Sequence, residues 1–239
     1  MAMPGEASPM SVTIDMTEDV ALVTGAAGTL GTAVIDAFVD AGATVIGADV
    51  VESEDDLSVD AFHQADFTEP AAVEDTIDAV VDEYGGIDYL ANIAGTWQGG
   101  DPLEETDVET FEAMIDINLR TMFLASKYAL SSLQEREGAI VSVSARSSLE
   151  GGTGDGPYRA AKAGVRLLTE TIAEENLGTV RANAVMPSVI DTPMNREMMP
   201  DADHDAWVDP SDIADVIVWL CSDGASVTSG AAVPVYGEA

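Results

Sequence analysis

Gly25-Ala26-Ala27-Gly28-Thr29-Leu30-Gly31 follows a β-rich run at residues 20–24 and leads at once into a helical pattern at residues 30–41. A tight strand-to-helix turn aims backbone N–H groups and the positive helix end at an anion, and only small residues let a pyrophosphate approach. A glycine cluster alone is weak evidence for a binding site, because many turns need glycine for their backbone conformation. Its place between a first strand and a helix predicts a dinucleotide-binding turn.

Outward from this turn, short β-rich runs alternate with helical patterns, which is typical of βαβ units and a parallel sheet. The strand candidates are residues 20–24, 44–48, 62–65, 89–92, 139–143, 180–185 and 232–235. Apolar residues at helical spacing cover residues 30–41, 71–84, 108–133, 158–176 and 211–221. We predict a single doubly wound α/β domain of Rossmann type, with a parallel sheet of about seven strands, over residues 18–239 after a loose tail at residues 1–17.

Composition limits the class of protein. The 239 residues are 46% apolar, which suits one continuous core. The single cysteine, Cys221, excludes an internal disulfide, and no leader pattern or long apolar stretch indicates secretion or a membrane span. His63 and His204 have no second ligand at metal-binding spacing, so we predict no metal site. We therefore predict a cytoplasmic protein.

Charge is the extreme feature of the sequence. It has 44 acidic and 9 basic residues, for a formal net charge of −35. Such a surface repels nucleic acid and anionic membranes, because phosphate binding needs clustered Lys and Arg, and this leaves a small molecule as the expected partner. Since the excess spreads along the whole chain, its repulsion must be screened globally, which indicates a salt-rich cytoplasm as in halophiles.

The second strand ends in Asp49, 24 residues after Gly25. A carboxylate there accepts hydrogen bonds from the adenosine ribose and repels a 2′-phosphate, and no Arg or Lys lies between Gly25 and Asp49. The alternative is one solvated acid among many. We predict NAD(H) in preference to NADP(H).

Tyr158 and Lys162 lie four residues apart at the start of a helical pattern, so their side chains share one face. A nearby ammonium favours phenolate and would lower the tyrosine pKa toward working pH. Most pairs at this spacing are surface residues. Here Lys162 is one of only two lysines, and the pair follows a glycine-rich loop at residues 151–156 where a doubly wound sheet has its crevice. We predict that Tyr158 transfers a proton to or from a substrate oxygen.

These motifs together resemble the short-chain dehydrogenase/reductase family over nearly the whole chain. The resemblance implies that Asp66 and Phe67 contact adenine, that Asn92-Ile93-Ala94-Gly95 lines the cofactor site, and that Asn118 holds a water relaying protons to Lys162. It implies further that the stretch after the sixth strand binds the nicotinamide carboxamide. With the glycine turn and the Tyr158–Lys162 pair, the expected cofactor-binding residues are Gly25, Gly28, Thr29, Leu30, Gly31, Asp49, Asp66, Phe67, Asn92, Ala94, Gly95, Tyr158, Lys162, Pro187, Ile190 and Thr192.

One departure from the family pattern touches the mechanism. The family's catalytic serine lies 13 residues before the tyrosine, and this position holds Ala145. Ser144 is adjacent, but strand side chains alternate faces, so it should point away from the crevice. Ser147 would face correctly only if the strand continued. Loss of one oxygen-stabilising donor costs on the order of 10²–10³ in rate unless another group replaces it.

Two alternatives follow from this departure. The missing serine and the local similarity of residues 191–207 to dihydropteridine reductase favour reduction of a quinonoid imine. A non-catalytic, NAD-binding regulatory protein is the second alternative, although the intact Tyr158–Lys162 pair speaks against it.

The remaining expectations concern the rim of the site and assembly. Arg146, Arg159 and Arg196 fall beside the crevice and hint at an anionic substrate, although local salt bridges are the stronger interpretation. Met194, Met198, Met199 and Trp207 form either a lid or ordinary core. Helices 108–133 and 158–176 carry a second apolar face, which together with the resemblance predicts a homotetramer, or failing that a dimer.

The acidity predicts dependence on salt. Because the Debye length is about 10 Å at 0.1 M salt and about 3 Å at 1 M, the protein should be folded and assembled in molar KCl and should dissociate or unfold in dilute buffer. Circular dichroism and light scattering across a KCl series measure both. Full stability, assembly and activity in dilute buffer would contradict the prediction.

Overall fold

The computed structural model describes residues 14–52 and 57–238. Seven parallel strands form one sheet in the order β3-β2-β1-β4-β5-β6-β7. They are β1 Val20–Thr24, β2 Thr44–Asp49, β3 Ala61–Gln64, β4 Tyr89–Asn92, β5 Ala139–Val143, β6 Arg181–Pro187 and β7 Ala232–Val235. The predicted α/β fold with a doubly wound, seven-stranded parallel sheet is confirmed, and four of the seven strands have the predicted bounds.

Helices cover both faces of the sheet. They are α1 Thr29–Asp40, α2 Pro70–Tyr84, α3 Val108–Ile115, α4 Thr121–Arg136, α5 Gly156–Glu175, α6 Pro193–Met198 and α7 Pro210–Cys221. The continuous helix predicted at residues 108–133 is wrong in one respect, since a π turn at Asp116–Arg120 separates α3 from α4. The π turn alters the spacing of the apolar residues over a single turn, so the helical periodicity of the sequence does not reveal it. The short helix α6 was not predicted.

Strand alternation divides the core into two layers. On β1, Ala21 and Val23 pack with the helices α1 and α7, whereas Val20 and Leu22 pack with α2 and α4. The largest buried side chains of the first layer include Phe38. Each strand of a sheet covered on both faces buries consecutive residues, which explains the nearly continuous apolar runs of β1 and β5.

The predicted tail needs a partial correction. Most of residues 1–17 lies outside the described residues, and so does most of the acidic run at residues 52–56. Met16, however, is fully buried in the first core layer and donates its N–H to Ala41 O. The ordered domain therefore includes residues before 18, because an apolar side chain at this position completes the packing against α1. Among the described residues, no helix has both the length and the apolar character needed to cross a membrane.

Arg181 at the start of β6 caps the end of α7. Its guanidinium donates to the carbonyls of Leu220, Cys221, Ser222 and Ala225, at 2.5, 2.6, 3.2 and 3.3 Å. The last carbonyls of a helix lack partners within the helix, and a cation there also complements the helix dipole. One side chain thus joins the start of β6 to the end of a core helix.

Replacing Arg181 by Met should lower stability by about 2–3 kcal/mol, since several charge-assisted hydrogen bonds are lost. For a domain of this size that is a fall in Tm of roughly 4–12 °C, measurable by calorimetry in molar KCl. Arg120→Met is the matched control because it changes the charge equally but removes a half-exposed pair with Asp116. Equal shifts in the two variants would show that net charge, and not the cap, is responsible.

Candidate active site

A cleft of 1510 Å³ opens at the carboxyl ends of the central strands. Pockets for drug-sized ligands measure about 300–1,000 Å³, so this cleft has room for a larger ligand together with a second molecule. It extends from Asp66 and Phe67 to Met198 and Met199. Its centre lies where β1 adjoins β4, the point at which the connections leave for opposite faces of the sheet.

The glycine turn forms one wall of the cleft, and Gly25, Gly28, Thr29, Leu30 and Gly31 all line it. A Cβ at Gly31 would lie 2.0 Å from Gly25 O, so the first turn of α1 can pack here only with glycine. At Gly28 a Cβ would meet Gly25 O alone, at 3.4 Å, so the approach to the turn is open. A small, open wall at a helix N-terminus fits a pyrophosphate.

Asp49 stands at the end of β2 on the same side of the cleft as Asp66 and Phe67. Its Oδ2 accepts a hydrogen bond from Ala27 N at 3.0 Å, which links the acid to the glycine turn. Among the cleft-lining residues that the structure describes, the cations are Arg146, Arg159 and Lys162, which all belong to β5, its following loop or α5. The Asp49 end is therefore acidic.

The motif after β4 is only partly in the cleft. Ala94 and Gly95 line it, and Thr24 Oγ1 accepts hydrogen bonds from Ile93 N and Ala94 N at 3.1 and 3.2 Å. Asn92 was expected to contact the cofactor, but it does not line the cleft. Its buried amide donates instead to Ser126 Oγ and Ser142 Oγ at 3.1 and 3.2 Å. The structure thus gives Asn92 a role in joining β4, α4 and β5.

Tyr158 and Lys162 meet deep in the cleft. Lys162 is buried, its Nζ donates to Val143 O at 2.9 Å, and that Nζ lies 5.9 Å from the centre of the Tyr158 ring. A Cβ on Gly95 would lie 3.0 Å from Lys162 Nζ and 2.8 Å from Asn118 Oδ1. Glycine at 95 therefore lets the lysine and the asparagine approach the same point, so the three residues predicted as catalytic do come together.

Asn118 sits in the π turn between α3 and α4. Its Nδ2 donates to Met114 O at 3.1 Å, and its Oδ1 accepts from Thr96 N at 3.1 Å. Single π turns inside helices occur frequently at functional sites. Here the turn places the Asn118 side chain against the loop after β4.

Burial controls the pKa values of the pair. It raises the pKa of Tyr158 to about 12, with the nearby Asp155 carboxylate adding to the shift, and it lowers the pKa of Lys162 to about 8. The lowering of the Tyr158 pKa toward working pH that was expected from the sequence is not found in this geometry. Loss of solvent around the phenol raises the pKa more than the nearby Arg159 guanidinium lowers it. Tyr158 therefore keeps its proton at neutral pH.

Ala145 and the two serines considered as its replacements all lie at the cleft. Ala145 is buried and lines the cleft, while the Ser144 Oγ donates to Lys162 O at 2.8 Å. Ser144 also lines the cleft, but its hydroxyl is hydrogen-bonded to the backbone of α5. With Nζ on Val143 O, this gives Lys162 two hydrogen bonds to the end of β5. Ser147 lines the cleft from the loop after β5, and its carbonyl accepts a hydrogen bond from Arg159.

The segment after β6 forms the far wall, where Pro187, Ile190 and Thr192 line the cleft as predicted. Thr192 caps α6 by accepting from Asn195 N at 3.2 Å. Met194, Met198 and Met199 also line the cleft. Trp207 does not, because its ring packs 4.4 Å from that of His204.

Trp97 was not predicted as a site residue, whereas local salt bridges were the favoured interpretation of Arg159 and Arg196. Trp97 lines the cleft two residues after Gly95, and an aromatic so close to a cofactor motif was the available signal. Arg159 is held by its own loop, with Nε 2.6 Å from Asp155 Oδ1. Arg196 pairs with Asp191 in the same way, so local salt bridges account for both residues.

Comparison with known proteins agrees with this geometry. A family model described as enoyl-(acyl carrier protein) reductase matches residues 25–237. Cis-4-hydroxycyclohexanecarboxylate dehydrogenase of Sinomonas cyclohexanicum is 34% identical over 238 residues, covering 92% of this chain and 96% of that protein. The 3-oxoacyl-acyl-carrier-protein reductase FabG of Thermotoga maritima is 32% identical over 237 residues, covering 91% and 96%.

A solved structure extends the likeness to three dimensions. The ligand-free aldohexose dehydrogenase of Thermoplasma acidophilum superposes with a TM-score of 0.87 at 28% identity, covering 95% of each chain. The local similarity to dihydropteridine reductase stays a prediction. The chain belongs to the short-chain dehydrogenase/reductase family of oxidoreductases.

Proposed function

We propose that this chain is an NAD(H)-dependent oxidoreductase that interconverts a small alcohol and its carbonyl compound, with Tyr158 as general acid and base. The observation that carries the proposal is the meeting of Tyr158, Lys162 and Asn118 in a cleft whose other end presents the glycine turn and Asp49. Relatives named as dehydrogenases and reductases support the class of reaction.

The cofactor would lie along the cleft. The turn at residues 25–31 would hold the pyrophosphate, Asp49 the adenosine ribose, Lys162 the nicotinamide ribose, and residues 187–192 the carboxamide. Bound nicotinamide supplies or takes up hydride. The acidic Asp49 end, with the cleft's cations at the other end, favours NAD(H) because a 2′-phosphate would face a carboxylate.

The side chains of this protein would move the proton. In the reducing direction Tyr158 donates its phenolic proton to the substrate oxygen, and its raised pKa keeps that proton in place until then. The Lys162 ammonium stabilises the phenolate that forms, while Val143 and Ser144 hold the lysine. Asn118 supports the return of a proton from solvent. Ala145 contributes no hydrogen bond donor from its side chain.

We also propose the homotetramer expected from the sequence. Phe123 on α4 and Leu167 on α5 are half exposed in the single chain, which supports a contact through these helices. The light-scattering series described above measures the assembly.

Tyr158→Phe should abolish proton transfer while leaving NADH binding intact. A panel of alcohols, sugars, 3-oxoacyl thioesters and quinonoid pterin in molar KCl first identifies a turned-over substrate. We expect kcat to fall by about 10²–10⁴-fold, the usual contribution of a general acid, with the Kd for NADH within about twofold. Tyr84→Phe, at the end of α2 and away from the cleft, is the control. If the Tyr158→Phe variant retained turnover, Tyr158 would not be the general acid and base.

Asp49→Asn should relax cofactor choice. The amide oxygen can still accept from Ala27 N, but the repulsion of a 2′-phosphate is lost. We expect the preference for NADH over NADPH in kcat/KM to fall at least about tenfold, or about 1.4 kcal/mol. Asp60→Asn is the matched control, because Asp60 also accepts from a backbone N–H, that of Val45, but lies outside the cleft. An unchanged preference, or wild-type preference for NADPH, would contradict the assignment.

The rate of reduction should fall as pH rises through about 8. The pKa of Lys162 is about 8 and that of Tyr158 about 12, so the lysine loses its charge first, and with it the stabilisation of phenolate. A kcat profile from pH 6 to 10 measures this. Lys162→Arg, whose charge persists across that range, should lack the descending limb whatever its absolute rate. A flat wild-type profile would show that the lysine charge is not needed.

A further inference from the structure

The cleft end opposite Asp49 has an apolar surface. Trp97, Met194, Met198 and Met199 line it, and each is 37 to 51% exposed, so their side chains are available to a ligand. Ala145, which is buried, adds a methyl group to the lining of the same cleft. Methionine side chains adapt to the shape of a ligand and contact aromatic rings favourably, and tryptophan offers a flat apolar face.

The arginines beside this surface are engaged by the protein itself. Arg159 donates to Asp155 Oδ1 at 2.6 Å and to the carbonyls of Ser147 and Glu150 at 3.3 and 3.1 Å. A Cβ on Gly152 would lie 2.2 Å from its guanidinium carbon, so the loop closes tightly over it. The Nε and Nη1 donors of Arg159 could bind a substrate anion only by giving up these contacts with the loop that forms the site wall.

The other two arginines are engaged as well. Arg196 makes a two-pronged pair with Asp191. The Arg146 guanidinium lies 4.9 Å from the centre of the Tyr236 ring. Glu150, at the same rim, adds a negative charge. The rim thus combines apolar side chains with two arginines paired to carboxylates, a third arginine held over a tyrosine ring, and an acid.

The loop bearing Trp97 belongs to the same wall. Gly100 N donates to Gly154 O at 2.7 Å, which ties this loop to the one that Arg159 organises. The Trp97 loop and the Arg159 loop are therefore joined in one wall of the cleft.

We propose that this site takes an uncharged alcohol or ketone with an apolar, ring-sized body and discriminates against carboxylate and phosphate analogues. The proposal rests on the proposed function and deepens it. A carboxylate entering this wall would lose water without gaining a free cationic partner, and that cost is large. Because it arises from desolvation, the discrimination should persist in molar KCl, where simple repulsion is screened.

The test is binding of a matched pair, methyl 4-acetylbenzoate and 4-acetylbenzoate, which share a ring and a ketone and differ in charge. Tryptophan fluorescence of the NADH-saturated protein in molar KCl gives both Kd values, and NADH oxidation gives both rates. We expect the ester to bind at least about tenfold more tightly, equivalent to about 1.4 kcal/mol. Tighter or equal binding of the acid, or no binding of the ester at millimolar concentration, overturns the proposal.

Two variants locate the binding surface. Met198→Gln, with NADH fluorescence as the readout, should weaken ester binding about fivefold or more, and so should Trp97→Ala. Trp219→Ala changes a comparably exposed tryptophan outside the cleft and should leave ester binding unchanged. An ester that binds through this wall without being reduced would contradict the proposed function and leave the substrate class standing. Reduction of the acid in preference to the ester would contradict the proposed substrate class and leave the proposed function standing.

Discussion

The Thr24 hydroxyl holds together the carboxyl ends of β1 and β4, through hydrogen bonds from Ile93 N and Ala94 N. The cleft depends on this contact, because the chain leaves β1 for one face of the sheet and β4 for the other. The same contact brings the glycine turn against Ala94, so closely that Gly25 could carry no side chain there. The glycine turn and the segment after β4 are thereby fixed relative to each other.

Lys162 is held against the end of β5 by two hydrogen bonds. Its Nζ donates to Val143 O, and its backbone carbonyl accepts from Ser144 Oγ. A buried ammonium is costly, and that cost lowers its pKa to about 8. The group is thus charged at neutral pH but close to losing its proton, beside a phenol that holds its own proton firmly. Burial, more than any direct pairing, sets both values.

The acidity of the chain has a different effect at each end of the cleft. At β2 the Asp49 carboxylate accepts a hydrogen bond from the glycine turn, and in the proposed function it would repel a ribose 2′-phosphate. At the opposite end the Asp155 carboxylate pairs with Arg159 and helps to hold the loop at residues 147–155. In a protein with 44 acidic residues, arginines beside a cleft are readily captured by neighbours, so their presence alone is poor support for an anionic substrate.

The amino-acid sequence by itself determined the fold, the glycine turn and the Tyr158–Lys162 pair, because these depend on periodicity and on spacing along one element. Tertiary structure decided what depends on partners distant in the chain. It turned Asn92 toward Ser126 and Ser142 and out of the cleft, and it raised the pKa of Tyr158. Hydrogen bonding and burial are properties of neighbours in space, which spacing along a strand or helix does not specify.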